Sequence, residues 1–118
     1  MLTAALLNIM HESASAIATY TDGMEEADFR ASRLFRNEIE KHLLTLADST
    51  SNIPDDIKAK LSEIDWDGWL ALARILHGET QEGRTDATWY AMQSQAPATL
   101  LALRIYRRTQ PELFIFTL

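Results

Sequence analysis

The sequence has 118 residues, a formal net charge of −6 and no cysteine. This length fits a single domain with its own core, and the absence of cysteine excludes disulfides, thiolate metal sites and a cysteine nucleophile. The negative charge opposes non-specific nucleic-acid binding, so any RNA site must be a local basic patch. The apolar run at residues 2–10 is much shorter than the roughly 20 residues that a membrane span needs. We therefore expect a cytoplasmic protein without a membrane segment.

Apolar residues at helical spacing predict two helices in the first half of the chain. The first runs from Leu2 to about Tyr20 and ends at the turn signal Asp22-Gly23. The second is predicted as one long helix over residues 25–49. It carries a stripe of arginines at intervals of three, which either tracks phosphates or forms a solvated face balanced by glutamates. The stripe consists of Arg30, Arg33 and Arg36.

The next stretch predicts two shorter helices. A helix from Pro54 to Glu63 has proline in its first turn. The central helix runs from Trp66 to Gly78, with Asp65 placed to cap its start and the glycine placed to end it in the left-handed conformation. Apolar residues at spacings of three and four bury one face of this helix. On the opposite side, Arg74 and His77 are three residues apart and share a face.

The last third of the chain predicts a loop, a long helix and an apolar tail. The stretch from Glu79 to Arg84 has no periodicity and is expected to form a loop over the central helix, where substrate contacts often lie. Thr85 or Asp86 then caps a final helix, which Pro97 should kink. The apolar tail at residues 109–118 must pack against its own bundle, a second subunit or a partner.

These elements predict an all-α protein, a single domain of four or five antiparallel helices. No glycine-rich phosphate loop, serine elbow or zinc-protease spacing is present. The histidines fall on three different predicted helices, so neither a metal site nor a cofactor is predicted. They are His11, His42 and His77.

Four residues in the second half carry a family resemblance: Trp66, His77, Gly78 and Trp89. Their order and spacing resemble the motif helix of HEPN domains, specifically the HepT-like toxins that pair with a minimal nucleotidyltransferase antitoxin. The resemblance covers nearly all of residues 6–108. It extends through Phe29, Arg36, Leu43, Asp48 (usually glutamate in the family) and Pro97.

The chain departs from the family motif at three positions. Leu72 stands in place of the arginine, Ala73 in place of the asparagine and Glu79 in place of the tyrosine. In HepT-like pairs, the resemblance implies that this tyrosine receives AMP from the partner. Glu79 cannot be modified in that way, so either a nucleotidyltransferase partner neutralises the chain by occlusion or there is no longer a toxin to neutralise.

The resemblance implies a metal-independent ribonuclease in which two copies of the motif face each other across a homodimer axis. Histidine suits general acid–base work near neutral pH, and the guanidinium fork of arginine matches phosphate oxygens. We therefore predict His77 as general acid or base and Arg74 as the phosphate contact. Arg84 and Glu79 are predicted to contact the substrate.

Two other functions are compatible with the sequence. The first is a catalytically inactive HEPN dimer that binds a nucleotidyltransferase, a nucleotide or RNA. The second is a structural bundle in which His77 only caps its helix. The three altered motif positions support the inactive dimer.

A second arginine–histidine pair satisfies the generic HEPN formula of arginine, four to six residues and histidine. Arg36 is followed by Asn37, four further residues and His42. This is the alternative catalytic pair. No His-Gly stop or second tryptophan follows it, so the register of the whole resemblance favours His77.

Overall fold

A computed structural model describes residues 2–78 and 81–115. All regular structure in these residues is helical, which confirms the predicted all-α class. Within the same ranges, none of the helices combines the length and apolar character that crossing a bilayer requires. The helices are α1 (Leu2–Thr21), α2 (Glu26–Ala31), α3 (Arg33–Ser51), α4 (Asp55–Lys60), α5 (Trp66–Gly78), α6 (Gln81–Tyr90) and α7 (Ala96–Thr109). A π-helical turn, Ala91–Gln95, joins α6 to α7, and a 3-10 turn, Pro111–Leu113, follows α7.

Ser32 divides the predicted second helix into α2 and α3. Its hydroxyl accepts a hydrogen bond of 3.2 Å from the Phe35 backbone N–H and thereby caps α3. The backbone of Ser32 is extended, with φ −103° and ψ 97°. A serine hydroxyl that binds the N–H three residues later favours a helix start over a continuous helix. The prediction of one helix over residues 25–49 is therefore wrong.

The predicted start of α5 is confirmed, and its predicted end is not. Asp65 Oδ1 accepts a hydrogen bond of 3.0 Å from the Gly68 N–H, which is the expected N-terminal cap. Gly78 lies outside the left-handed region. Among the described residues, the glycine with positive φ is Gly23, at 73°, in the turn after α1. Gly78 therefore continues α5, and the prediction of a left-handed cap there is wrong.

The final helix begins earlier than predicted. Residues 81–84 form the first turn of α6, where a loop was expected. Thr85 and Asp86 consequently lie inside α6 and do not cap it. Periodicity missed this turn because its sequence, Gln-Glu-Gly-Arg, contains no apolar residue.

The helix changes its hydrogen bonding immediately before Pro97. The Ala96 N–H donates to the Ala91 carbonyl, five residues earlier, as in a π-helix. Proline has no N–H to donate to the carbonyl four residues before it, so a regular α-helix cannot continue through this position unchanged. The π-helical turn is the local adjustment at the place where a kink was predicted.

Helix α3 is the central element of the packing. It contacts α1 and α5, and it also contacts α2 and α6. Helix α7 packs against α1. Apolar side chains from these helices meet in one buried cluster, so the described residues share a single hydrophobic core. Its largest fully buried side chains include Trp69, Phe29, Leu7, Met10 and Ile17.

Phe114 holds the described part of the C-terminal tail against α1. Its side chain is 7% exposed, and its carbonyl accepts a hydrogen bond of 3.0 Å from Asn8 Nδ2. The guanidinium of Arg107 lies over its ring, 5.5 Å from the ring centre. Up to Ile115 the tail thus packs on its own bundle, and the remainder of the predicted tail, residues 116–118, lies outside the described residues.

Candidate functional site

His77 and Asp48 face each other between the end of α5 and the last turns of α3. The distance from His77 Nε2 to Asp48 Oδ1 is 3.3 Å, and the side chains are 60% and 56% exposed. A carboxylate only accepts hydrogen bonds, so the contact requires the proton on Nε2 and leaves Nδ1 of a neutral imidazole as the proton acceptor. The arrangement is a solvent-accessible imidazole, chemically able to accept a proton, in contact with a carboxylate.

Two of the altered motif positions face the core. Leu72 is 4% exposed and Ala73 is 7% exposed. Arg74 is exposed, as is His77, and three-residue spacing places both on one face of α5. The third altered position, Glu79, lies outside the described residues. Arg74 and His77 therefore lie on the same exposed face of α5. Leu72 and Ala73, at the positions of the family's arginine and asparagine, pack in the core.

A second polar site lies between α3 and α6. Its volume is about 90 Å³, and we call it the α3–α6 pocket. Arg84 Nε lies 3.3 Å from Glu40 Oε1 inside it. Thr88 is 2% exposed, and within the described part of the chain its hydroxyl has no hydrogen-bond partner. The lining residues are Arg33, Arg36, Asn37, Glu40, Arg84, Thr85 and Thr88.

Helical spacing explains how these residues meet. Arg33, Asn37 and Glu40 follow one another at intervals of four and three, so they lie along one face of α3. On α6, Arg84 and Thr88 are four residues apart and also share a face. Sequence reasoning missed the pocket because it placed Arg84 in a loop. The four-residue spacing to Thr88 was the signal that could have found it.

Arg30 does not belong to this pocket. It lies on α2, where its guanidinium contacts Glu26 Oε2 at 2.8 Å and Asp86 Oδ1 on α6 at 2.9 Å. These hydrogen bonds, the one to Glu26 first, raise the pKa of Arg30 above its ordinary value. The predicted stripe of three arginines is thus divided at Ser32: Arg30 links α2 to α6, and the other two arginines line the pocket.

The alternative pair of Arg36 and His42 is not brought together. Six residues along α3 correspond to a rotation of about 600°, which leaves the two side chains about 120° apart around the helix. Arg36 lines the α3–α6 pocket and donates a hydrogen bond to the Arg30 carbonyl. His42 stacks on Tyr20 of α1, with ring centres 5.7 Å apart. Its Nε2 lies 3.6 Å from Glu38 Oε1.

The two sites are separate. Asp48 and Glu40 are eight residues apart on α3, which corresponds to about 12 Å along the helix axis. No cluster of three or more histidine, aspartate or glutamate side chains suited to a metal ion occurs among residues 2–78 and 81–115.

In comparisons with known proteins, no protein-family model matches this sequence and no solved structure matches this fold. The likeness to HEPN domains accordingly rests on the motif residues of the sequence.

Proposed function

We propose that the chain is a HepT-like HEPN component of a toxin–antitoxin pair and cleaves RNA without a metal ion. The observation that supports this most directly is the contact between His77 and Asp48. It presents an exposed imidazole, oriented by a carboxylate, at the position where the resemblance places the family's histidine. Arg74 on the same face supplies a cation for the phosphate.

The proposed reaction is an attack of the RNA 2′-hydroxyl on the adjacent phosphorus. His77 Nδ1 takes the proton of the 2′-hydroxyl as the new P–O bond forms, and Arg74 stabilises the charge on the phosphate oxygens. The bond from phosphorus to the 5′-oxygen breaks, and the leaving oxygen takes a proton from His77 of a second subunit. The products are a 2′,3′-cyclic phosphate and a 5′-hydroxyl end.

The proposal includes a homodimer and a cytoplasmic location. One imidazole serves as the base and the other as the acid, so a two-fold axis near the end of α5 supplies both from one motif per chain. His77 is accessible for this arrangement because more than half of its side chain is exposed. A minimal nucleotidyltransferase antitoxin is the proposed partner, acting by occlusion.

The burial of Leu72 and Ala73 favours a second candidate function. Loss of a charge-stabilising donor at an active site costs a factor of about 100 to 1000 in rate. A chain whose motif arginine position is filled by a core leucine fits a catalytically inactive HEPN dimer. Such a dimer would bind a nucleotidyltransferase, a nucleotide or RNA.

Cleavage of a mixed RNA substrate in EDTA separates the two functions. The purified chain is compared with His77→Ala and His42→Ala, all prepared identically, and the product ends are tested for a 2′,3′-cyclic phosphate. Loss of cleavage in His77→Ala alone is the expected result. Loss in His42→Ala alone would place the chemistry at the alternative pair. No cleavage by any of the three, with dimerisation and RNA binding retained, would establish the inactive binding module.

A further inference from the structure

We infer that the α3–α6 pocket binds a phosphate group. This site is distinct from the His77 face and does not depend on ribonuclease activity. The ligand is defined by its chemistry, a tetrahedral phosphate oxyanion, which is carried by inorganic phosphate, a mononucleotide or an RNA strand.

The charge of the lining favours an anion. Among the described residues, the pocket is lined by the guanidinium groups of Arg33, Arg36 and Arg84 and by the carboxylate of Glu40, in a chain whose formal charge is −6. Guanidinium groups offer pairs of parallel N–H donors that match two phosphate oxygens. Arg36 donates one hydrogen bond to the Arg30 carbonyl, which orients this guanidinium at the pocket wall.

Thr88 provides an independent reason to expect a ligand. Its side chain is 2% exposed and lines the pocket, and its hydroxyl has no hydrogen-bond partner within the described residues. A buried hydroxyl without a partner destabilises the fold, so such groups usually have one. A phosphate oxygen in the pocket supplies the missing acceptor.

The charge of Glu40 provides a test of the inference. Its carboxylate lies 3.3 Å from Arg84 Nε and helps to position that guanidinium. Its negative charge also opposes a bound anion. Removing the charge while keeping the shape, as in Glu40→Gln, should therefore tighten phosphate binding. A purely structural ion pair would give no such gain.

The experiment is a titration of the full-length chain at low ionic strength, followed by amide chemical shifts. Inorganic phosphate, adenosine 5′-monophosphate and a short RNA are titrated in parallel, with chloride as the reference anion. Saturable shifts at Arg33, Arg84 and Thr88 are expected. Similar affinity for inorganic phosphate and the mononucleotide identifies a site for a terminal phosphate group. Binding of the RNA alone identifies the phosphodiester backbone as the source of the bound phosphate.

Matched variants decide whether the pocket is responsible. Arg33→Gln should weaken binding about tenfold, as expected for a lost hydrogen bond to a charged group. Arg108→Gln removes the same charge from the exposed end of α7 and should leave the affinity unchanged. Thr88→Val should weaken binding severalfold without lowering the melting temperature, because it deletes an unpaired buried hydroxyl.

Three results would overturn the inference. They are no saturable binding of any of the three ligands, equal weakening by Arg33→Gln and Arg108→Gln, or weaker binding by Glu40→Gln. The His77→Ala variant should bind phosphate as the unmodified chain does, since the sites lie about 12 Å apart along α3. Failure of the phosphate site and failure of the ribonuclease are thereby separate outcomes.

Discussion

His77 Nε2 and Asp48 Oδ1 lie 3.3 Å apart, although 29 residues separate them in the sequence. The contact joins α5 to α3 at the surface, beside the packed face that the two helices share. A polar contact between two side chains that are both more than half exposed contributes little to folding stability. The carboxylate is therefore better placed to orient the imidazole than to hold the helices together.

Under the proposed ribonuclease function, Asp48→Asn should reduce RNA cleavage while leaving the fold intact. Loss of the orienting charge is expected to lower kcat about tenfold with little change in KM, which is less than the ~100-fold or more that general acid–base catalysis supplies in total. Asp48→Glu introduces the residue that is usual at this position in HepT-like HEPN domains, and it should retain most of the rate. Steady-state cleavage kinetics and a thermal melt measure both effects.

Asp56→Asn is the control, because it removes an exposed carboxylate from α4. It should alter neither kcat nor the melting temperature appreciably. A large drop in melting temperature for Asp48→Asn, with kcat unchanged, would assign the contact a structural role.

Thr99→Val should destabilise the core. Trp69 Nε1 donates a hydrogen bond of 2.9 Å to Thr99 Oγ1, and both residues are buried. Valine keeps the shape but leaves the indole N–H without its acceptor, which costs about 1–3 kcal/mol of unfolding free energy. Urea denaturation followed by tryptophan fluorescence measures the change.

Thr45→Val is the matched control for this substitution. The Thr45 side chain is exposed on α3 and bonds only to the Lys41 carbonyl among the contacts of the described residues. Its replacement should stay within about 0.5 kcal/mol of the unmodified chain. Equal effects at both positions would mean that the buried hydrogen bond is not formed in solution.

Capping residues predicted some helix ends and not others. Asp65 caps α5 as expected, whereas Gly78 and Thr85 or Asp86 do not end or start a helix in the expected way. Ser32 is compatible with both a helix interior and a helix start, and in the structure the α2 residues before it contact α6. There Phe29 packs against Trp89, with ring centres 5.2 Å apart, and Arg30 contacts Asp86.

The candidate site residues could be named from the sequence, but their grouping could not. Arg36 and Arg84 were proposed for different roles and line one pocket. Arg36 and His42 were proposed as a pair and point in different directions around α3. A linear motif states spacing along the chain, whereas the partner of a side chain depends on which helix packs against its face.

Alanine substitution should have different consequences at two glycines of α5. Gly78 lies outside the left-handed region, and a Cβ there would meet nothing within 4 Å. Gly78→Ala should therefore stabilise the chain by about 0.4–1 kcal/mol. At Gly68 a Cβ would collide with the capping carboxylate of Asp65. Gly68→Ala should give no gain, because loss of the cap offsets the better helix propensity.

The Asp65→Ala background tests this explanation. With the carboxylate removed, Gly68→Ala should recover a gain of about 0.5–1 kcal/mol relative to Asp65→Ala alone. Chemical denaturation of the four chains completes the cycle. An identical effect of Gly68→Ala in both backgrounds would show that the cap and the glycine are independent.

Acidification should destabilise the fold through His11 on α1. Burial lowers the pKa of His11 below its ordinary value of 6.5; Arg107 and Arg104 of α7 lower it further, and Glu12 opposes them. The unfolded chain therefore binds the proton more readily than the folded chain, and stability falls as the pH drops below about 6.5. The melting temperature should decrease from about pH 8 to about pH 5 more steeply in the unmodified chain than in His11→Gln.

Substitutions on α7 test the assigned cause of this pH dependence. Arg104→Gln removes one of the two cations that oppose the imidazolium. It should therefore bring the pH dependence of the melting temperature closer to that of His11→Gln without making the two equal. Arg108→Gln changes the net charge equally, and Arg108 is not among the groups that shift the pKa of His11, so it should leave this pH dependence unchanged. Equal slopes for the unmodified chain and His11→Gln would exclude His11 as the source. Equal effects of the two arginine substitutions would instead assign the pH dependence to the overall charge of the chain.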